Sequence, residues 1–462
     1  MILWCDVEDL YDYARAFTRP SGIQRLSFEL YAALHALAPD RVRFVRLDAR
    51  SGTMRVVMWQ EVTAVFHRMM LAPLDGPSHG RPPAPPSLMH SRLGRMPKLR
   101  GLAQRMPREL RKPLGDALRG QVMVVRDLIQ TFRAIPAALK AGRKEGRYTA
   151  TAPANGTDLR DAAQAGDVLC SFGAPWSLPD HPIFLERMRR DAGLRYALLL
   201  YDLVPVIRPE YSGEDTVAMF SRFMRGCLGL TDIVIAISDA TARDASAWAT
   251  QEEISLRAAP RAIPIGTGFS HAAPAPTLPA GLAPGGYVLF VSTIEARKNH
   301  ALAFRAWRRL LAELGPDRVP TLVFAGRVGW MVTDLIQQIE NAGYLGGKLV
   351  IVENADDATL AALYSSAQFT VFPSYYEGWG LPVSESLSFG KACIASDAAS
   401  IPEAGGEFCL YHDPDSVTEA VALYRRAITE PGLISSLEAR IRAEYRPTPW
   451  SATARAVLDA LG

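Results

Sequence analysis

The sequence predicts an α/β protein with two doubly wound domains, and three observations support this fold class. Short apolar runs alternate with helical patterns over most of the chain, which is typical of parallel sheets that helices cover on both faces. A stretch without periodicity, HAAPAPTLPAGLAPGG at 271–286, divides that pattern in two and indicates a linker. The chain of 462 residues has the length of roughly two to four domains.

The second half has the clearer pattern, and we assign residues 286–445 to a C-terminal domain. Helices are expected from about 299, from about 331, over ATLAALYSSA and after Pro382. The predicted strands are YVLFVS (287–292), TLVFAG (321–326), KLVIVE (348–353), FTVFPS (369–374) and ACIAS (392–396). Apolar strands of this length, spaced by helices, predict a parallel sheet with both faces buried.

Residues 1–275 carry a looser version of the same pattern and are assigned to an N-terminal domain. Its predicted strands are ILWCDV, RFVRLD, DVLCSF, RYALLLYDL and DIVIAIS. Two such domains leave a crevice at the carboxyl ends of their strands, where ligands of open α/β sheets bind. The segment 446–462 contains one amphipathic pattern, WSATARAVLDALG, and we expect this helix to cross back to the N-terminal domain.

A basic helical insertion at about 67–165 interrupts the first domain. From Arg81 to Arg147 there are sixteen Lys and Arg against four Asp and Glu, a local charge of +12, so the rest of the chain sums to 3 − 12 = −9. Such a concentrated charge either recruits anionic lipid, nucleic acid or a charged substrate, or is simply solvated surface. Within it, QVMVVRDLIQTFRAI has one apolar stripe, which fits a core-facing helix or a helix lying on a membrane or a partner.

Composition argues for a globular protein of the cytosol. The chain is 48% hydrophobic and 21% charged, and its longest apolar run is broken by Asp202, so no stretch reaches the roughly 18 apolar residues of a membrane span. The start, MILWCDVEDL, lacks the pattern of a secretory signal. Five widely spaced cysteines without CxxC spacing argue against a disulfide framework or a structural zinc site.

The stretch EGWGLPVSE places Glu377 and Glu385 eight residues apart around two glycines and Pro382. Glycine and proline make one continuous helix implausible, so we predict strand, loop and helix, with Pro382 in the first helical turn. The backbone N–H groups between Gly380 and Val383 would then favour a phosphate or a hydroxyl oxygen. The alternative is that Glu385 complements the helix dipole and Glu377 is an ordinary surface residue.

Basic residues follow two predicted strands at the same edge of the sheet. Arg297 and Lys298 come after YVLFVS, and Arg327 comes after TLVFAG. Facing the glutamate loop, such cations can bind a diphosphate and stabilise a departing nucleoside diphosphate. Alternatively, Arg297 and Lys298 only pair with Glu295 and cap a helix.

The chain resembles the family 4 glycosyltransferases of the GT-B fold, and more closely bacterial mannosyl- or rhamnosyl-type transferases that build surface polysaccharides. The resemblance is strong over about 190–450, weaker at RPSGIQRLSFEL and absent over roughly 67–165. The segments that carry it are YDLVPVIRPEY, TDIVIAISDATARD, STIEARKNH, FAGRVGW and FPSYYEGWGLPVSESLSFGKACIASDAASIPEAGG. It implies two Rossmann-like domains that face a central crevice, the C-terminal one binding the donor nucleotide and the N-terminal one lying on the acceptor side.

The resemblance also implies roles for residues. It places Glu377 on the donor hexose, Glu385 on the ribose, and Lys298 with Arg297 on the diphosphate, which makes Glu377, Lys298 and Arg297 the catalytic candidates. The remaining donor-binding candidates are Gly378, Trp379, Gly380, Leu381 and Arg327.

The implied reaction is transfer from a nucleotide-activated sugar with retention of configuration, without a metal or other cofactor. Its leaving phosphate itself accepts the proton of the acceptor, so the enzyme positions groups and stabilises charge. The one good DxD match, DPD at 413–415, is better explained as a helix N-cap than as a metal site.

Acceptor-side candidates are Gly22, Gln24, Arg25 and Asp202. Many relatives have a histidine where this chain has Tyr201, and two glycines where it has Ser21-Gly22. The long stretch EDLYDYARAFTRP separates the first strand from the segment SGIQR. Gln24 and Arg25 therefore either reach the acceptor or a phosphate, or they begin an ordinary helix.

Three other functions are compatible with parts of this sequence. A phosphorylase needs a longer chain, and a sugar-nucleotide epimerase needs histidine and acid groups poised for proton abstraction, whereas no histidine of the eight is central to these motifs. The third is a non-catalytic protein that binds membrane or nucleic acid through the basic insertion. We expect a GDP-, UDP- or dTDP-linked sugar as donor, a saccharide or lipid-linked saccharide as acceptor, the inner face of an anionic membrane as a docking surface for 81–147, and no nucleic acid.

Overall fold

The computed structural model describes residues 1–17, 20–48, 53–70, 156–177, 181–268 and 278–462. The basic stretch 81–147, with its predicted amphipathic helix, lies outside the described residues, as do residues 271–277 of the predicted linker.

In the part of the chain that the structure describes, the N-terminal sheet has seven strands in the order β3-β2-β1-β4-β5-β6-β7. All neighbours are parallel except β2 and β3, which pair antiparallel at the edge. The strands are β1 (Leu3–Asp6), β2 (Val42–Asp48), β3 (Thr53–Val57), β4 (Val168–Ser171), β5 (Arg195–Leu200), β6 (Ile233–Ala236) and β7 (Arg261–Ala262). The described helices are α1 (Glu8–Ala16), α2 (Gly22–Leu37), α3 (Trp59–Met70), α4 (Leu159–Ala162), α5 (His181–Ala192), α6 (Val204–Ile207), α7 (Glu214–Cys227) and α8 (Asp239–Gln251).

The C-terminal sheet has six parallel strands in the order β10-β9-β8-β11-β12-β13. They are β8 (Tyr287–Val291), β9 (Thr321–Ala325), β10 (Leu349–Val352), β11 (Thr370–Phe372), β12 (Cys393–Ser396) and β13 (Cys409–His412). The helices are α9 (His300–Leu314), α10 (Thr333–Asn341), α11 (Gly343–Gly346), α12 (Asp357–Ser366), α13 (Leu381–Ser388), α14 (Ile401–Gly405), α15 (Val417–Thr429), α16 (Leu433–Glu444) and α17 (Trp450–Leu461). Two parallel-sheet α/β domains are present, which confirms the predicted fold class.

Both sheets are buried on both faces because their strands are apolar at successive positions. In β8, Val288 and Phe290 belong to the larger core of the C-terminal domain, whereas Tyr287 and Leu289 belong to a smaller core on the opposite face. Successive strand residues point to opposite faces, so an apolar run without alternation fits only a sheet covered on both sides.

The helix α17 packs on the N-terminal domain although it follows the C-terminal one. Ala454, Val457 and Leu461 are buried in the same core as Leu30 and Leu34 of α2.

Several elements differ from the sequence predictions. The segment EDLYDYARA, for which no helix was predicted, forms α1, and the short strands β3, β7 and β13 were not predicted. The sequence DPD at 413–415 was expected to be an N-cap, but the N-cap of α15 is Ser416, whose hydroxyl accepts a hydrogen bond from the N–H of Glu419.

Within the described ranges, no helix combines the length and the apolar character needed to cross a membrane. All five cysteines are free and buried.

The packing of α17 predicts the effect of truncating its last apolar side chain. Leu461 is buried in the N-terminal core, so Leu461→Ala should lower the free energy of unfolding by about 2–3 kcal/mol. Urea denaturation measures the change, with Asp459→Ala on the exposed face of α17 as the control. Equal stability of the two variants would show that the Leu461 side chain contributes no packing energy.

Candidate active site

The loop after β11 is held in place by hydroxyl groups from the neighbouring strand and helix. Ser396, at the end of β12, donates to the carbonyl oxygen of Ser374 at 2.5 Å. Ser400, just before α14, lies 2.8 Å from the carbonyl oxygen of Glu377 and 3.1 Å from that of Trp379. The backbone that carries Glu377 is therefore fixed on both sides.

The turn after β8 carries the two predicted cations and is locked by Asn299. Asn299 has a left-handed φ of 62°, a conformation that asparagine tolerates better than most residues. Its amide donates to the carbonyl oxygens of Pro373 (3.1 Å) and Pro414 (2.8 Å). This side chain thus ties the Arg297-Lys298 turn to the segments that follow β11 and β13. Asn299 was not among the predicted site residues, although its place directly after the basic pair was a usable signal.

The cations and the glutamate loop meet in what we call the ion cluster, formed by Glu295, Arg297, Lys298 and Glu377. One carboxylate oxygen of Glu377 lies 2.6 Å from Lys298 Nζ, and the other lies 2.8 Å from the Arg297 guanidinium. The same guanidinium contacts Glu295 at 2.9 Å and the carbonyl oxygen of Tyr376 at 2.5 Å. Arg297, Lys298 and Glu377 therefore converge, as the sequence predicted.

The ion cluster is buried, and burial changes the acidity of its members. Glu377 is 8% exposed and Glu295 is 2% exposed. Burial disfavours the charged form of Glu377, but the charges of Arg297 and Lys298 outweigh it and lower the pKa of Glu377 to about 2. Burial, reinforced by the charge of Arg297, lowers the pKa of Lys298. Glu377 is therefore ionised at every physiological pH.

The N-terminal domain reaches the ion cluster through the segment after β5. A Cβ atom on Gly378 would lie 1.8 Å from the carbonyl oxygen of Tyr201, so only glycine permits this contact between the domains. Burial raises the pKa of the neighbouring Asp202, while the charge of Arg297 opposes the rise. One oxygen of Asp202 also accepts the N–H of Val204 at 3.0 Å. Asp202 thus faces the cluster from the opposite domain.

Further contacts join the two domains around this point. Both carboxylate oxygens of Glu403 accept N–H groups at the start of α8, from Asp239 at 2.7 Å and Ala240 at 2.8 Å. Tyr211 stacks on Tyr375 with 5.4 Å between ring centroids. None of these contacts was predicted, because nothing in a single sequence shows which residues face each other across two domains.

The second glutamate of the motif lies apart from the ion cluster. The α13 helix begins at Leu381, after Gly380 with a positive φ of 107°, and Val383 N–H already bonds to the Gly380 carbonyl oxygen at 2.9 Å. Glu385 accepts a hydrogen bond of 2.9 Å from the Tyr364 hydroxyl. Burial raises the pKa of Glu385. The loop residue Trp379 donates its indole N–H to Ser384 at 3.0 Å.

The remaining candidates occupy different positions around the crevice. Arg327 is exposed, stands over the ring of Phe17 at 5.9 Å and has no ion pair with a residue in the described ranges. Gly22 and Gln24 lie in the first turn of α2, so this segment does begin an ordinary helix. Arg25, in the same turn, nevertheless reaches the other domain and pairs with Asp357 at 2.5 Å.

The C-terminal domain matches a known enzyme family. Residues 284–444 match the family described as Glycosyl transferases group 1. The chain is 27% identical to the O-antigen chain mannosyltransferase B of Escherichia coli over 266 residues, which are 55% of this chain and 67% of the relative. It is 28% identical to the serotype-specific mannosyltransferase WbdA of Escherichia coli over 255 residues, 51% of this chain but only 31% of the length of that relative.

Solved structures share the two-domain architecture. The structure of HepE from Anabaena in complex with UDP superimposes with a TM-score of 0.55 at 14% identity, covering 100% of this chain and 99% of HepE. A UDP-forming trehalose-phosphate synthase from Burkholderia xenovorans gives a TM-score of 0.50 at 14% identity, over 66% of this chain and 75% of that enzyme. The predicted GT-B fold is confirmed. Since folds host many functions, this likeness concerns architecture alone.

The low pKa of Glu377 predicts a pH-dependent contribution to stability. The pKa falls from the ordinary 4.5 to about 2, so ionised Glu377 stabilises the fold fully above pH 4.5, and this contribution is lost as the pH falls towards 2. The shift corresponds to roughly 3 kcal/mol. We expect Glu377→Gln to unfold at lower urea concentration than wild type at pH 7, with a difference that narrows below pH 4.5.

The control for this measurement is Glu430→Gln, which removes an exposed ion pair with Arg426 and should cost less than about 1 kcal/mol at any pH. A constant difference between wild type and Glu377→Gln from pH 7 to pH 3 would contradict the electrostatic assignment.

Proposed function

We propose that this chain, whose residues 284–444 form a glycosyl transferases group 1 domain, is a retaining, metal-independent glycosyltransferase. It transfers a hexosyl group from a nucleoside-diphosphate sugar to a saccharide or lipid-linked saccharide in surface polysaccharide synthesis. The observation that carries this proposal is the buried ion cluster at the carboxyl ends of β8 and β11, which faces Asp202 of the other domain.

The ion cluster suits a diphosphate because its two cations can change partners. Without a donor, Arg297 and Lys298 are neutralised by Glu377 and Glu295. When a diphosphate enters, its oxygens replace Glu377 as partners of the cations, which bind phosphate strongly. The carboxylate of Glu377 is then available to accept hydrogen bonds from hydroxyl groups of the donor hexose.

The acidity of Glu377 favours a positioning role over that of a general base. A carboxylate with a pKa of about 2 accepts protons poorly at neutral pH. In a retaining transfer on one face of the sugar, the leaving phosphate takes the proton of the acceptor hydroxyl, while Arg297 and Lys298 stabilise its negative charge. The enzyme then needs charged groups held in place more than it needs a base.

We take mannose as the first hexose to test, because the two relatives described above are named mannosyltransferases. Glu385, with a hydroxyl partner in Tyr364, is assigned to the ribose. Gly378, Trp379, Gly380 and Leu381 form the wall of the donor site, and Arg327 is assigned to its rim. On the acceptor side stand Gly22, Gln24, Arg25 and Asp202.

A sugar-nucleotide epimerase on the same fold would use the same donor site but needs a group that takes a proton from the sugar. Glu377, ionised and held by two cations, does not suit that task. The two activities differ in product: a transferase releases the nucleoside diphosphate, whereas an epimerase returns a new sugar nucleotide.

The donor assignment predicts which variants lose turnover. Thermal shifts with GDP, UDP and dTDP should identify one nucleotide that stabilises the chain, and nucleotide release should follow with the matching sugar donor. Lys298→Ala and Glu377→Gln should each lower turnover at least about a hundred-fold, since a misplaced group at the reacting centre costs this much.

Lys348→Ala is the matched control, because Lys348 bonds to the carbonyl oxygen of Val319 at the opposite end of the sheet. Turnover that persists in Lys298→Ala and in Glu377→Gln would refute the site assignment, and absence of a shift with any nucleotide would refute the donor.

We also propose that the stretch from Arg81 to Arg147 holds the protein at the inner face of an anionic membrane. Its local charge of +12 is large enough to be attracted to anionic lipid. This location would bring a lipid-linked acceptor within reach of the crevice.

Flotation with vesicles tests this attachment. The chain should float with phosphatidylglycerol vesicles at 50 mM salt, float less at 500 mM because salt screens the attraction, and stay at the bottom with phosphatidylcholine. A variant with Arg105, Arg108, Arg111 and Lys112 all replaced by glutamine should float less. Recovery of the wild type entirely in the soluble fraction would contradict the proposal.

A further inference from the structure

A polar cavity lies in the N-terminal domain, apart from the ion cluster. It sits at the carboxyl ends of β1 and β4 and is lined by Asp6, Asp9, Asp12, Ser171 and Gly173. Its volume of about 10 Å³ is the space that one water molecule or one hydroxyl group occupies. None of the roles assigned above uses these residues.

Asp9 is held in this cavity by the elements around it. Its carboxylate lies beside the backbone N–H of Ala174 and the side chain of Gln24, and both oppose the rise in its pKa that burial causes. A Cβ atom on Gly173 would lie 2.1 Å from the carboxylate, so the glycine leaves the space that Asp9 fills. The acid is therefore placed by three segments at once: the start of α1, the loop after β4 and the first turn of α2.

Two polar atoms in the cavity lack partners. Asp9 Oδ2 and Ser171 Oγ are both buried and have no hydrogen bond with any residue in the described part of the chain. Ser171 is 1% exposed. A buried polar atom without a partner costs free energy, so such atoms in a cavity commonly mark the place of a ligand or a water.

Two of the three acids that line the cavity lack a cationic partner within the described ranges, whereas the third, Asp12, pairs with Arg15 at 2.5 Å. Neither Asp6 nor Asp9 has an ion pair with a described residue, whereas Glu8 next to them pairs with Arg46 at 3.0 Å. Burial raises the pKa of Asp6 to about 8 and that of Asp9 to about 6. At neutral pH the cavity therefore offers one protonated acid, one mainly ionised acid and one hydroxyl, which is a set of both donors and acceptors.

The strand order relates this cavity to the ion cluster. The strands β1, β4 and β5 are neighbours, and β5 leads directly into Asp202. Adjacent strands are about 4.8 Å apart, so two spacings separate β1 from β5 by roughly 10 Å. A ligand that reaches both places must be longer than one hexose ring.

We propose that this cavity receives a hydroxyl group from a sugar unit of the acceptor next to the one that reacts. The inference rests on the proposed transferase function and gives it an acceptor subsite. A hydroxyl group donates to Asp9 Oδ2 and accepts from Ser171 or from protonated Asp6, which satisfies the unpartnered atoms. No group of three or more His, Cys, Asp or Glu in the described residues can hold a metal ion, and a phosphate would be repelled by the acids.

Binding of neutral trisaccharides of mannose, rhamnose, glucose and galactose, measured by calorimetry on the full chain, tests this subsite. We expect at least one to bind wild type, and Asp9→Asn to weaken it on the order of ten-fold, because a hydrogen bond to a charged group is lost. Ser171→Ala should weaken trisaccharide binding several-fold. The double variant should weaken binding by less than the product of the two single effects, because both residues contact one hydroxyl. Asp161→Asn, on the exposed start of α4, should change nothing.

Nucleotide-induced thermal shifts show whether each variant is folded with its donor site intact. If Asp9→Asn fails to fold, Asp9→Glu replaces it, because this variant keeps the charge but overfills the cavity. Unchanged trisaccharide affinity in folded variants would overturn the proposal and leave the cavity with a structural water. Failure of every trisaccharide to bind wild type would overturn it as well. If the chain shows no reaction with any donor but still binds a trisaccharide in a way that depends on Asp9, the proposed transferase function is wrong and the proposed subsite is supported.

Discussion

The rest of the site depends on one interaction, the paired contacts of Arg297 and Lys298 with the single carboxylate of Glu377. Charges this deeply buried are tolerated only with well-placed partners, since removing either partner leaves an uncompensated charge. The surrounding structure supplies that placement. Asn299 locks the turn that bears the cations, and Ser400 fixes the loop that bears the acid. The short loops after β8 and β11 can therefore hold charged groups together at the rim of the sheet.

The same constraint couples the site to the contact between domains. The loop that presents Glu377 continues through Gly378, which lies against the carbonyl oxygen of Tyr201, and Ser400 lies three residues before Glu403, which caps α8 of the other domain. A change in the separation of the domains must therefore act on the backbone at Glu377 and directly after it. Through these contacts, closure of the crevice and the positions of Arg297 and Lys298 would depend on each other.

The sequence predicted what depends on periodicity and missed what depends on side-chain direction. The strand β8 was predictable because a sheet buried on both faces produces an unbroken apolar run, whereas β7 is two residues long and β3 is an antiparallel edge strand, so neither carries that signal. Convergence of Arg297, Lys298 and Glu377 followed from the meeting of parallel strand ends at one edge. Arg327 starts from the same edge but is exposed, because strand order fixes where a residue begins and not where its side chain points. The pairing of both cations with one acid was not predictable either, since it depends on distances of a few ångströms between separate loops.

The two glutamates of the EGWGLPVSE motif show how eight residues can separate two chemical roles. Glu377 lies in a loop between two cations, which lower its pKa to about 2, whereas Glu385 lies in α13, where burial raises its pKa and Tyr364 is its hydrogen-bond partner. Titratable groups whose surroundings shift their pKa values in opposite directions are characteristic of divided roles. The division follows from Gly380, whose positive φ ends the loop and starts the helix between them. The turn at Gly380 allows Glu377 to face the cations while Glu385 faces a neutral hydroxyl.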